Sequence, residues 1–171
     1  ISWWRLDENT GNAAYDSIGP NHATITSLSW TSGINQSGLL YDDPGDALTA
    51  SSSESLTITG NLSISLWMYL NDLPTGSDDM IFTYTKDGES ENHNTLYELS
   101  IDSSGELSYK HEFDVGMDQE HSFDAENLVA DSWYHLVLVR DASSKQVSLY
   151  LNNRFIETVD YSSNPTGGSF A

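Results

Sequence analysis

The chain contains no cysteine. That excludes a disulfide framework and all thiol chemistry, and sets the chain apart from small secreted domains held together by cross-links. Cations are scarce as well: 6 Lys plus Arg stand against 26 Asp plus Glu, a formal net charge of −20. Phosphate recognition needs clustered cations and the counterions they displace, so nucleic acid is a poor partner. An anionic membrane surface is disfavoured for the same reason. No apolar run approaches the roughly 20 residues that span a bilayer. No signal peptide is visible, and the chain opens on Ile1 in a strand-like run, so the expectation is a piece of a larger protein with its targeting segment upstream. Helical periodicity, solenoid repeats and a Pro-rich linker are also missing.

What is present is alternation. Between 131 and 157, Trp133, His135, Val137 and Val139 alternate with Tyr134, Leu136, Leu138 and Arg140, which puts the two sets on opposite faces of a strand. A polar run, 141–146, breaks the pattern, and Val147, Leu149 and Leu151 restart it against Ser148 and Tyr150. Asn152-Asn153 then reverses the chain into 154–159, so the stretch predicts two consecutive hairpins. In LSISLWMYL, 62–70, Leu62, Ile64, Leu66, Met68 and Leu70 form one aliphatic face, and Ser63, Ser65, Trp67 and Tyr69 form the other. Further strands are predicted at 2–6, 22–28, 38–41, 47–50, 56–58, 80–85, 96–101 and 107–113. The turn Asp102-Ser103-Ser104-Gly105 joins the last two. The acidic segments 71–79, 86–95 and 114–127 read as long loops.

About a dozen short strands and no helices imply an all-β fold, a two-sheet antiparallel jelly-roll sandwich. At 171 residues one domain over 1–171 is the simplest division, and a chain of this size buries roughly 70% of its unfolded surface.

Two aromatic and polar sets suit a sugar, which wants a ring against its apolar face and short side chains for its hydroxyls. They are Trp67 and Tyr69 with Ser63 and Ser65, and Ser148, Tyr150 and Asn152. The bland alternative is that Trp67 and Tyr150 are framework packed beneath loops. Tyr84, Asp87, His93, Asn94, Asp114 and Asp118 form a rim alternative on the long loops. Catalytic signatures are missing: there is no G-x-S-x-G elbow and no H-E-x-x-H. The many carboxylates read first as solubility in a salty medium, with Asp42, Asp43 and Asp46 a weaker cation candidate. Asn35 and Asn61 begin glycosylation sequons, which matter only in a eukaryotic secretory pathway.

Several segments carry a resemblance in order and spacing. WWRLDENTGNAAYDSIGPNHATI, GLLYDDPGDALT, NLSISLWMYL, YELSIDSSGELSY and SWYH…LYLNN together resemble the laminin G-like, concanavalin A-like lectin superfamily over 1–160. Asn153 stands where that family usually has Gly in an L-Y-[hydrophobic]-N-G hairpin, and Asn tolerates positive φ. The resemblance implies a non-enzymatic carbohydrate-binding or adhesion module at an extracellular, cell or virion surface, with a glycan or cell-surface partner. A structural decoration, fibre or appendage domain is the alternative. Metal-binding relatives imply Ca²⁺ at Asp7, Asp16 and Asn21, whereas the bland reading makes Asp16 and Asn21 caps of a turn. Glycosidases on this fold carry an E-x-D-x-x-E strand, and ELSID offers only Glu98 and Asp102. The family's last strands, which close the sandwich, are expected to be missing from this chain, leaving a sheet edge for neighbouring domains or subunits to complete.

Overall fold

A computed structural model describes residues 1–85, 95–114, 117–124 and 128–166. Every regular element in it is a strand. The chain divides into two compact units, Ile1–Leu56 and Thr57–Ala171, each described by itself.

In the first unit, β1 (Ala13–Ala14), β2 (Ala23–Thr26) and β5 (Ala47–Ala50) form an antiparallel sheet in the order β1-β2-β5. Alternation decides its inner face: Ala23 and Ile25 of β2 are buried, and Thr24 and Thr26 are exposed. A separate ribbon pairs β3 (Ser29–Ser32) with β4 (Ser37–Leu40). The predicted first strand reduces to one bridge, Trp4 to Asp16.

The second unit holds two four-stranded antiparallel sheets. One runs β10-β9-β8-β7, from β7 (Asp79–Thr85), β8 (Thr95–Ile101), β9 (Leu107–Asp114) and β10 (Met117–Ser122). The other runs β13-β12-β11-β6, from β6 (Leu62–Leu70), β11 (Ser132–Asp141), β12 (Gln146–Leu151) and β13 (Arg154–Asp160). These sheets make the sandwich of an all-β jelly roll, and their inner rows fill its core. Leu99, Ile101, Leu107 and Tyr109 come from one sheet; Leu136, Leu138, Val147 and Leu149 come from the other. Burying each such side chain contributes about 1.5–3 kcal/mol.

Turn chemistry sets the registers. Asn152 and Asn153 both take positive φ, 52° and 62°, the mirror-image turn that suits a two-residue hairpin. Between β8 and β9, the Asp102 carboxylate accepts from Ser104 N (2.8 Å), Ser104 Oγ (2.7 Å) and Glu106 N (2.8 Å). Gly105 follows at φ +85°, so close to Leu128 that a Cβ would run into its carbonyl oxygen.

Besides the first predicted run, β3, β10 and segment 56–58 depart from the sequence reading. β10 lies where a loop was predicted, because its inward residues are Gln119 and His121 and leave no apolar alternation to read. Segment 56–58 forms no strand, and its Ile58 carbonyl instead caps the arginine in the core. Arg140 shares the face of Leu136 and Leu138 and is 1% exposed. It donates from Nε to Gly60 O (3.0 Å), from Nη1 to Leu96 O (2.8 Å) and Tyr109 Oη (3.0 Å), and from Nη2 to Ile58 O (2.6 Å). Its guanidinium therefore ties β11 to both strands at the centre of the opposite sheet.

Candidate functional site

Four of the five residues predicted to meet a ligand, Trp67, Tyr69, Ser148 and Tyr150, lie on one surface, the outer face of the β13-β12-β11-β6 sheet; Asn152 follows in the turn after β12. Register and alternation lay this face out in rows. Tyr69 pairs with Trp133; Trp67 pairs with His135; Ser65 stands beside Val137, Tyr150 and Phe155; and Ser63 stands beside Val139, Ser148 and Thr158. Asn152 extends the Trp67 row, its Oδ1 accepting from His135 N at 2.9 Å while its own N–H donates to His135 O at 2.9 Å. β6 and β12 are separated by β11, so the two predicted sets stand about 10 Å apart, two strand spacings.

The rings of this face stand against one another across the strands. Trp67 stacks on His135 with centroids 4.8 Å apart and planes at 24°, close to the strand spacing of about 4.8 Å. One face of the indole is thus covered by imidazole, yet Trp67 is 51% exposed, which leaves the other face to solvent. Tyr69 leans on Trp133 at 5.3 Å and 60°, and Tyr150 meets Phe155 edge-on at 5.5 Å. Each pair contributes about 0.5–1.5 kcal/mol beyond its burial. Short polar groups fill the spaces between: Ser65 Oγ lies 2.9 Å from His135 Nε2, and Ser148 Oγ lies 2.6 Å from Thr158 Oγ1. Trp133 and His135 serve the scaffold, and His135 also braces the ring most open to a ligand.

None of the residues in these four rows is Asp, Glu, Lys or Arg. The outer face of the opposite sheet is the reverse: Glu98, Lys110 and Glu120 stand abreast, and Lys110 Nζ pairs with Asp118 at 3.1 Å. Burial pushes the Glu98 carboxyl up, Lys110 and a hydrogen bond from Thr83 pull it down, and Glu120 and Glu112 add to the rise. Asp102, its partner in the glycosidase comparison, is committed to its turn. The two residues do not make a facing carboxylate pair of the kind that chemistry uses.

The predicted metal ligands divide. Asp16 and Asn21 come together in the first unit, where Asp16 is buried. The Asp16 carboxylate accepts from Trp3 N (2.9 Å), Ile18 N (3.0 Å) and Asn21 N (3.3 Å). Burial raises its pKa, but the backbone N–H groups of Trp3, Gly19 and Ile18 outweigh that and hold it well below the usual carboxylate range. The Asn21 amide donates to Ser2 and Ser55 and accepts from Ser53. Asp7 instead forms an ion pair with Arg5 at 2.6 Å. Among the described residues no group of three His, Cys, Asp or Glu is poised to hold a metal ion. This donor set does not fit a calcium ion, which needs several oxygens free to converge.

The remaining candidates scatter. Asp46 Oδ2 accepts from the backbones of Asp42 and Asp43 and closes a turn. Tyr84, expected on a rim, is a core residue stacked on Tyr97 at 5.2 Å. Asp87, His93 and Asn94 lie outside the described residues. Asn61 Oδ1 accepts from Ala142 N. Sequence reasoning passed over Phe155, 55% exposed at the end of the Tyr150 row. Its signal was its place two residues after the Asn-Asn turn, opposite Tyr150 in the hairpin.

A family model for laminin G domains, described as concanavalin A-like lectin/glucanases superfamily, matches residues 42–171. The chain belongs to this superfamily, in its laminin G-like branch, and the class is that of carbohydrate-binding or adhesion-type modules. No curated protein matches it. Among the described residues, no helix is long and apolar enough to cross a membrane.

Proposed function

We propose that the chain is a non-enzymatic carbohydrate-binding or adhesion module of an extracellular, cell-surface or virion-surface protein, capturing glycan on the outer face of the β13-β12-β11-β6 sheet. The observation that carries this is Trp67: an indole fixed on one side by His135 and open on the other. Tyr69 stands beside it, the hydroxyl groups of Ser65 and Ser148 lie on the same surface, and Asn152 follows in the turn at its end. A pyranose pairs its C–H face with the open indole and its hydroxyls with the short polar side chains. We take 1–171 as one laminin G-like domain, because the family match begins at residue 42, inside the first compact unit, and runs through the second.

A glycan array with wild type, Trp67→Ala and Tyr150→Ala is the test. Binding by the wild type that falls at least ten-fold in both variants, with unchanged thermal melts, supports the reading; a 1.4 kcal/mol loss corresponds to that factor. An array without wild-type binding ends it.

A second reading uses the same face for protein contacts, as a decoration, fibre or appendage domain. Val137, Val139 and Phe155 favour it, since they give the surface apolar area that a sugar does not require. Assembly into a larger particle without glycan binding would establish it. Calcium is a separate proposal, and the commitment of Asp7, Asp16 and Asn21 to other partners argues against it. Calorimetry with Ca²⁺ decides: heat and a thermal shift, both lost in Asp16→Asn, would restore the ion.

A further inference from the structure

The charges that border the Trp67 face decide which glycans it can take. Its four rows hold no Asp, Glu, Lys or Arg, but the next row along the same strands is acidic: Asp141 pairs with Gln146, and Gln146 pairs with Asp160. The cations of these strands, and of the turns joining β11, β12 and β13, are placed elsewhere. Arg140 is buried in the core, Lys145 donates from Nζ to Ser162 O at 2.7 Å, and Arg154 stands opposite the buried Leu151. A sulfate or carboxylate brought onto the rows sheds water and gains no ion pair, which is costly. It also meets Asp141 and Asp160 within the field of a chain of net charge −20. An uncharged sugar avoids both costs, and its hydroxyls can donate to those same carboxylates as charge-assisted hydrogen bonds.

The spacing of the rings bears on the size of the ligand. From Trp67 to Tyr150 the sheet steps across two strands and along one row, a distance of about 12 Å. That is more than one sugar ring covers. Phe155 carries the line of rings one strand further and is 55% exposed. Beside this line the side chains are small: Ser63, Val139, Ser148 and Thr158 form a row that crosses all four strands, about 15 Å from end to end. Small side chains next to large ones leave a shallow trough. It runs across the strands, with rings on one side and the acidic row on the other.

We propose that this face takes an uncharged, linear glycan, held as a stretch of several sugars laid across the strands from Trp67 to Phe155, and turns away sulfated and uronic-acid-bearing chains. The proposal rests on glycan capture by the same face and names its substrate class. Sugar faces lie on the open indole and the rings beyond it, while hydroxyls reach Ser148, Thr158 and the carboxylates of the acidic row.

The full chain is tested on an array of linear oligomers of glucose, mannose, galactose and N-acetylglucosamine, from one sugar to six. Each is printed beside a sulfated or uronic-acid-bearing counterpart. The expected result is a neutral series whose binding strengthens about ten-fold or more from one sugar to four, with acid-bearing counterparts weaker by at least the same factor. Val139→Lys sets a cation in the row of small side chains. An exposed ion pair is worth a few-fold in affinity, so the ratio of neutral to acid-bearing binding should fall about three-fold. If that variant does not fold, Ser63→Lys, at the exposed end of the same row, carries the measurement. Preference for acid-bearing glycans, or a ratio that the added lysine does not move, overturns the uncharged substrate class and leaves glycan capture standing. Equal affinity for one sugar and for four overturns the chain laid across the strands, again without touching glycan capture. A wild type that binds no glycan brings down both.

Discussion

Replacing Arg140 with methionine tests the account of the core most directly. The side chain keeps an unbranched stem of similar reach and loses every donor. Three carbonyls, of Ile58, Gly60 and Leu96, and the Tyr109 hydroxyl then lose their partner. A buried group left unsatisfied costs about 1–3 kcal/mol, so four at the lower end amount to roughly 4–6 kcal/mol. Against this stands the relief of an arginine charge that no carboxylate among the described residues pairs, a desolvation of several kcal/mol. The first effect should win, because wild-type geometry satisfies the guanidinium at four points, and removing one side of a buried polar network is generally destabilising. The expected net loss is about 2–4 kcal/mol. With a urea slope of about 1–3 kcal/mol per molar, the midpoint should fall by about 1–2 M at pH 7, with the slope unchanged and tryptophan fluorescence coincident with circular dichroism. Arg140→Lys, keeping the charge but not the planar fork, should fall between the two. A methionine variant as stable as the wild type would refute the reasoning, for it would mean that water satisfies those carbonyls or that the desolvation cost was the larger quantity.

Two further outcomes follow from the same interior. His111, 0% exposed, donates from Nε2 to Ser163 O at 2.8 Å, and its Nδ1 has no partner among the described residues. Burial, with smaller contributions from the Arg140 charge and His121, lowers its pKa to about 4 despite the Ser163 bond. The unfolded chain therefore takes up the proton first as pH falls. Stability should be intact above about pH 6.5 and decline by about 3 kcal/mol toward pH 4, a slope that His111→Gln should remove in urea titrations across that window. An identical slope in both proteins would count against a buried neutral imidazole. Gly105→Ala should cost more than 2 kcal/mol by roughly additive strain and clash, since its Cβ meets the Leu128 backbone. Gly11→Ala, at a similar φ of +82° with nothing near its Cβ, should cost only about 1 kcal/mol; equal melts for the two would show that the clash relaxes freely.

Strands with one apolar face were legible in the sequence. Period two in 62–70, 132–141 and 146–151 located β6, β11 and β12 closely, and the Asn-Asn pair located the turn into β13. The same alternation put Trp67, Tyr69, Ser148 and Tyr150 on a shared face, because antiparallel register carries the side-chain phase of one strand into the next. β10 was not legible, since both its faces are polar and only its neighbour β9 shows which side turns inward. The metal candidates illustrate a different limit. Composition shows that Asp16 and Asn21 own oxygen atoms, but only backbone geometry shows that those oxygens are already used. Arg140 lay between these cases. Its phase with Leu136 and Leu138 marked it as inward, but its partners lie in segments whose approach no local pattern announces.

The buried arginine bears on folding order. Its acceptors lie 82, 80, 44 and 31 residues away along the chain, so none of its bonds forms within a local hairpin. The hairpins of β11, β12 and β13 can assemble while the guanidinium remains hydrated. It is desolvated only when 58–60, β8 and β9 close over it, and contacts of such long range are made late and slowly. The guanidinium should therefore act mainly as a latch on unfolding: its removal should speed unfolding far more than it slows folding, shortening the lifetime of the folded sandwich.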